Sequence, residues 1–158
     1  MPDHRCKEGF PLRLSILDQS VAVSDRPHGQ SIRDTIALAQ YAETLGYERF
    51  WVSEHHNHGT IAGTAPEILM AAIAATTQRI RIGSAGVMLP HYAPLKVAEQ
   101  FRVLDSIAPG RIDLGLGRAP GSDGRTAYAL NPLANERPAV FPNDVRDLMA
   151  WVSGSPLP

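Results

Sequence analysis

Three short stretches carry residues whose types and spacing suit chemistry. The first, Glu54-His55-His56-Asn57-His58, sets three imidazoles beside a carboxylate. Imidazole titrates near neutral pH, so one reading is acid–base or hydrogen-bond chemistry by a histidine next to a bound cofactor. Histidines also ligate zinc and its neighbours, but no well-spaced carboxylate or Cys set accompanies these, and no metal is expected. A polar loop with solvated imidazoles is the third reading. The second stretch, Gly115-Leu116-Gly117-Arg118-Ala119-Pro120-Gly121, joins a guanidinium to glycines that can bring backbone N–H groups to an anion such as a phosphate. It is not a dinucleotide fingerprint, because its third glycine is misplaced and Pro120 interrupts the turn. Glycines that let a strand end turn sharply would explain the glycines but not Arg118. In the third stretch, Ser84-Ala85-Gly86, small residues allow close approach of a flat ligand or an unusual backbone, and tight helix–strand packing would use them equally well.

These stretches need elements to position them. Short, mostly apolar runs at 12–17, 49–53, 80–84 and 111–116 suit strands covered on both faces. Between them lie helical patterns. Ser31 and Asp34 form a capping-box-like pair ahead of a stripe through Ile32, Ile36, Ala39, Ala42 and Leu45, which Gly46 ends. Pro66 and Pro94 sit where a first helical turn tolerates proline, and Pro109-Gly110 stops the third helix. Past Arg118 the chain is rich in Gly and Pro, with a short helix expected over 126–130 and a last one opened by Pro142 and Asp144. Phe50 and Trp51 read as barrel or sheet core, and Asp105, Arg111 and the charges between Arg33 and Glu48 as a solvated helix face and its neighbours. His28 and His91 read as loop residues without a role.

Strand starts at 12, 49, 80 and 111 recur at nearly constant spacing, each strand followed by a helix, which implies four parallel βα units. Two architectures accept that series: a (β/α)₈ barrel or an open doubly wound sheet. A whole barrel typically needs about 250 residues, so 158 residues supply half of one. In both architectures ligands gather at the C-terminal ends of the strands, and the three stretches follow the second, third and fourth.

A net charge of -1 offers no electrostatic reason for a nucleic-acid or anionic-membrane partner. One cysteine, Cys6, cannot form an internal disulfide, residues 1–10 lack the apolar stretch of a signal peptide, and no run is long enough for a membrane span. A cytoplasmic location is expected. The expected organisation is an N-terminal extension at 1–11, one domain at 12–153 and a tail at 154–158.

The segments Phe50-Trp51-Val52-Ser53-Glu54-His55-His56, Arg81-Ile82-Gly83-Ser84-Ala85-Gly86-Val87-Met88-Leu89-Pro90, Ala98-Glu99-Gln100 with Leu104-Asp105, and Gly110-Arg111-Ile112-Asp113-Leu114-Gly115-Leu116-Gly117-Arg118 resemble the bacterial luciferase-like flavin-dependent monooxygenase family, in order and in register from about Leu12 to Trp151. The resemblance implies a (β/α)₈ TIM barrel, of which this chain holds the N-terminal half as four parallel βα units. It implies reduced FMN as cofactor, less readily the deazaflavin F420, and a reaction of a small organic substrate with O2. By similarity, His55 matches the histidine that assists flavin–oxygen chemistry, and Glu54 lies beside it in the cofactor site. Ala85 and Gly86 match a small-residue pair joined by a cis peptide under the flavin ring, and Arg118 an arginine that pairs with the FMN phosphate. A half barrel exposes strand edges and an apolar interior, so self-association or a complementary half-barrel chain is expected. The alternative is a non-catalytic remnant that binds a flavin or a partner.

Overall fold

The computed structural model describes residues 12–154; Cys6, the 1–11 extension and residues 155–158 of the tail lie outside the described residues. The described chain alternates strands and helices: β1 (Ser15–Asp18), α1 (His28–Thr44), β2 (Arg49–Val52), α2 (Pro66–Thr76), β3 (Arg81–Ser84), β4 (Val87–Met88), α3 (Pro94–Ile107), β5 (Ile112–Asp113), β6 (Leu116–Gly117), α4 (Gly124–Leu130) and α5 (Arg137–Ser153). A short 3₁₀ turn, Leu89–His91, joins β4 to α3.

Strands β1, β2, β3 and β5 form one sheet in that order, every pair parallel. Sequential order is what one wall of a β/α barrel requires, whereas a doubly wound sheet reverses at a switch point. The expected half of a (β/α)₈ barrel is therefore the architecture observed. Side-chain alternation sets the two faces of the wall. Phe50, Val52 and Ile82 are buried with Leu69, Met70, Ile73, Val97, Phe101 and Leu104 of the helices in one apolar core. On the concave face, Leu17, Trp51, Gly83 and Asp113 stand in one register row. Trp51 lies across Gly83, where a Cβ would come within 2.6 Å of the indole nitrogen, and Nε1 donates to Asp113 Oδ2 at 3.2 Å. Phe50 is thus core, while Trp51 belongs to the concave face. Leu17 is about half exposed there, at 54%.

The fourth unit departs from expectation. Its strand is not continuous over 111–116 but breaks after Asp113, and its continuation β6 pairs with β4 in a separate parallel ribbon. The cause is Ser84, whose hydroxyl donates to the Gly115 carbonyl (2.9 Å) and accepts the Gly115 N–H (3.1 Å), replacing ladder bonds with a side-chain crosspiece.

Two helix starts also differ. α1 begins at His28, and no capping box forms. Ser31 and Thr35 are buried with Ala39 and Ala42 on the sheet-facing stripe, while Leu45 is exposed. Thr35 tolerates that position because its hydroxyl donates to Asp18 Oδ2 and meets Ser20 Oγ at 2.8 Å. Asp34 instead accepts Arg26 and Gln30, each at 2.8 Å. α5 begins at Arg137 and carries Pro142 inside; the proline removes one intrahelical bond, to the Pro138 carbonyl near the helix start.

The N-terminal ends of the strands are clamped by charge. The Glu43 carboxylate accepts the backbone N–H groups of Gln78, Arg79 and Ile80 at 2.9, 2.6 and 2.9 Å, just where the chain enters β3. Arg111, expected to be solvated, donates to Thr77 Oγ1 and to the Ala74 and Ile80 carbonyls, tying β5 to the end of α2. Burial alone would raise the Glu43 pKa, but the amides of Ile80, Arg79 and Gln78 together hold it below the ordinary glutamate range. A depressed folded-state pKa adds stability that is present above the unfolded pKa and is lost as pH falls through the folded value. Glu43→Gln is expected to lower unfolding stability by about 1 kcal/mol at pH 7, solvent screening included. The gap should close as pH drops below about 4.5. Urea unfolding of both proteins at two pH values measures this, and a gap independent of pH would exclude the charge clamp.

Candidate active site

The site grows from the segment that leaves β2. Glu54, two residues past the strand, has no exposed surface. A buried carboxylate is tolerated only when donors replace its water, and three are supplied. Glu54 Oε2 accepts the Met88 N–H at 2.9 Å, while Oε1 accepts Tyr92 Oη–H at 2.7 Å and His56 Nε2–H at 2.6 Å. Burial, then the hydrogen bond to Glu54 and its charge, raise the Tyr92 pKa well above the usual phenol value, so the hydroxyl stays a donor. Glu54 therefore acts as a brace that holds β4 and the following turn against the end of β2.

His55 points elsewhere. Its backbone N–H donates to the Gly63 carbonyl at 3.1 Å, its ring meets His58 edge-on at 6.3 Å, and its buried Nδ1 has no partner among the described residues. His58 is turned to Thr60, whose N–H and hydroxyl approach Nδ1 at 3.3 and 3.1 Å. His56, bonded to Glu54, thus turns away from the His55–His58 pair, and among the described residues no group of three His, Cys, Asp or Glu side chains is disposed to hold a metal ion.

The Ala85–Gly86 peptide, at the end of β3, is cis. A Cβ on Gly86 would lie 2.8 Å from backbone atoms of Gly115 and Leu116, so only glycine fits between β3 and the fourth unit. Gly117 and Gly121 are similarly pressed on Met88, where a Cβ would come within 2.7 Å of Sδ and Cε respectively. Arg118 lies between them, exposed and without hydrogen bond or ion pair to a described residue.

The loops after β2 and β6 meet: the His56 N–H approaches the Gly121 carbonyl at 3.5 Å, and Asn57 Nδ2 donates to Thr126 Oγ1 at 3.0 Å. Glu54, His55, Ala85, Gly86 and Arg118 all follow strand ends on one rim of the wall. The end of β1 contributes differently, because Asp18 and Ser20 are engaged with Thr35 of α1.

Sequence reasoning missed two residues here, His91 and Tyr92. His91 is buried, its Nε2 stands 2.6 Å from the Pro120 carbonyl, and its ring meets those of His56 and Tyr92. The signal available was faint: an imidazole and a phenol directly after a strand end and Pro90. Two polar groups on this rim have no partner among the described residues: the exposed guanidinium of Arg118, whose donors suit an anion such as the phosphate of a flavin nucleotide, and the buried Nδ1 of His55.

Among the described residues no helix is long and apolar enough to cross a membrane. A family model described as luciferase-like monooxygenase matches residues 12–141. The chain is 56% identical over 141 residues to N-acetyl-S-alkylcysteine monooxygenase of Bacillus subtilis (strain 168), covering 89% of this chain and 42% of that protein. It therefore spans less than half the length of that relative. Among solved structures, apo-MsnO8 superposes with a TM-score of 0.84 at 43% identity, over 93% of this chain and 45% of that one. The oxygenating constituent of 3,6-diketocamphane monooxygenase from the CAM plasmid of Pseudomonas putida, solved in complex with FMN, superposes with a TM-score of 0.74 at 25% identity, over 89% and 38% of the two chains. On fold, register and sequence alike, this chain belongs to the luciferase-like monooxygenase family.

Proposed function

We propose that this chain forms the cofactor-binding half of a flavin-dependent monooxygenase, holding reduced FMN at the C-terminal rim of its wall and acting with O2 on a small organic substrate. The observation that carries this reading is Arg118, an exposed cation with no partner among the described residues, framed by two glycines at the end of β6. A guanidinium presents a fork of donors that matches a phosphate, a group that FMN and the deazaflavin F420 both carry. Solution in complex with FMN of a relative that superposes over 89% of the chain supports FMN as the choice. When bound, reduced FMN supplies the electrons with which O2 is activated. The chain's own residues bind and orient: Arg118 neutralises the phosphate, Ala85 and Gly86 give the ring a flat backbone surface, and His55 offers Nδ1 to hold or pass a proton beside it. Glu54 touches no ligand in this scheme, but keeps the Met88 amide, Tyr92 and His56 in place behind the rim.

The concave face supports a partner. Leu17 is about half exposed there, and β1 and β5 each end the described sheet with an unpaired edge. The proposed occupant is a complementary half-barrel or a second copy that completes the wall. The same open face favours a second reading, flavin or partner binding without turnover, and product formation separates the two. An N-acetyl-S-alkylcysteine, the substrate type in the name of the 56% identical relative, is the first to try.

Titration followed by flavin fluorescence should show quenching of FMN, and Arg118→Ala should weaken FMN about 10- to 100-fold while changing riboflavin little. Equal losses for the two flavins would remove the phosphate role. With chemically reduced FMN, O2 and an N-acetyl-S-alkylcysteine, His55→Ala should slow product formation at least about 100-fold while FMN still binds. A variant as fast as the parent would exclude His55 from the chemistry, and absence of product from the parent would favour binding without turnover.

A further inference from the structure

Arg118 makes no bond to a described residue, so the position of its guanidinium is set by the backbone on either side. On the upstream side, Gly117 packs against Met88, as does Gly121 downstream. The residue between Arg118 and Gly121 that is held by a side chain is Pro120. Its carbonyl lies 2.6 Å from His91 Nε2, with a further contact from Ser122 Oγ at 3.2 Å. A carbonyl oxygen can only accept, so Nε2 carries the proton and donates. In the neutral ring Nδ1 then bears the lone pair, and this atom is buried without a partner among the described residues.

His91 is only 8% exposed and stands between two parts of the site. One edge faces the Arg118 loop through Pro120. Its ring also packs edge-on against His56 at 5.8 Å and Tyr92 at 6.2 Å, the two side chains that donate to Glu54 Oε1. The brace at the end of β2 is thereby connected to the turn after β6 through one imidazole. Proline at 120 adds to this, because a locked φ makes its carbonyl a well-defined anchor.

We propose that His91 is the positioning residue for Arg118: by donating Nε2–H to the Pro120 carbonyl, and by resting on the His56–Tyr92–Glu54 group, it fixes the turn that presents the guanidinium to the phosphate of the cofactor. The proposal rests on the reading of Arg118 as the phosphate-binding group. It assigns His91 no contact with the reacting atoms. A residue acting only through Arg118 must affect the phosphate-bearing flavin selectively, and must lose its effect when Arg118 is gone.

The test uses His91→Phe, which keeps a ring against His56 and Tyr92 but has no N–H, and His91→Gln, whose amide restores a donor. Binding of FMN and riboflavin is measured by fluorescence for both, alone and with Arg118→Ala. His91→Phe should weaken FMN about 3- to 10-fold, the range of one neutral hydrogen bond, and leave riboflavin within about twofold. His91→Gln should recover most of the loss, and His91→Phe should add nothing to Arg118→Ala. Parallel loss of both flavins, or losses that multiply in the double variant, would overturn the proposal. A flavin-independent measurement is backbone 15N relaxation of the turn itself. His91→Phe should lower the order parameters of Arg118, Ala119, Gly121 and Ser122 from the rigid range of about 0.85 towards about 0.6, with β1 to β3 unchanged. Unchanged order parameters in that turn would sink the idea even if Arg118 binds phosphate. If Arg118→Ala fails to separate the two flavins while the turn still loosens in His91→Phe, the phosphate reading falls and the tether stands.

Discussion

A carboxylate with no access to water must be surrounded by donors, and in this molecule that requirement fixes the working end of the wall. Glu54 draws its donors from three places: the His56 ring on its own loop, the Met88 amide in β4, and the Tyr92 hydroxyl beyond the 3₁₀ turn. Removing any one leaves a buried charge short of a partner, which is far more unfavourable than never having had the pair. The carboxylate thus ties the end of β2 to the β4–β6 ribbon, which is not hydrogen-bonded as part of the main sheet. Met88 extends the tie, because Gly117 and Gly121 pack directly on its side chain.

The same rim shows how small residues and one hydroxyl replace regular pairing. Ser84 bonds both backbone groups of Gly115, and the Val87 N–H also reaches the Gly115 carbonyl at 2.9 Å. Gly86 then slides against the Gly115–Leu116 backbone with no room for a side chain. The wall can therefore step after β3 and β5 and resume as a second ribbon, with Ser84 and Val87 engaging the peptide groups of Gly115. The step lets the segments bearing Ala85, Gly86 and Arg118 reach one rim.

Much of this was legible in the sequence, and the failures have physical reasons. The four-unit repeat could be read because each strand is a short apolar run followed by a helix with a proline or glycine at its limits, as in α2 with Pro66 and α3 with Pro94. The start of α1 could not, because its sheet-facing stripe includes Ser31 and Thr35, which look like surface or capping residues until Asp18 and Ser20 are placed beside them. The interruption of the fourth strand depends on Ser84, 31 residues away in the chain. Pro142 marks a helix start in most sequences, and here it sits inside one. Of the site, Glu54, His55, Ala85, Gly86 and Arg118 stood out as residue types at strand ends. His91 and Tyr92 did not, since their partners are 29 and 38 residues distant and no local pattern announces such contacts.

The charge clamps at the opposite end of the strands have a consequence for how such a chain can change over time. Glu43 and Arg111 fasten the entrances to β3 and β5 through backbone groups, independently of whatever stands at the strand exits. Part of the stability is therefore carried at the entrances, away from the exits where a scaffold of this kind hosts its chemistry. Loops at the exits can lengthen, shorten or exchange side chains while the entrances keep the strands in register, so new specificities can be sampled without repeatedly crossing the threshold at which the fold is lost.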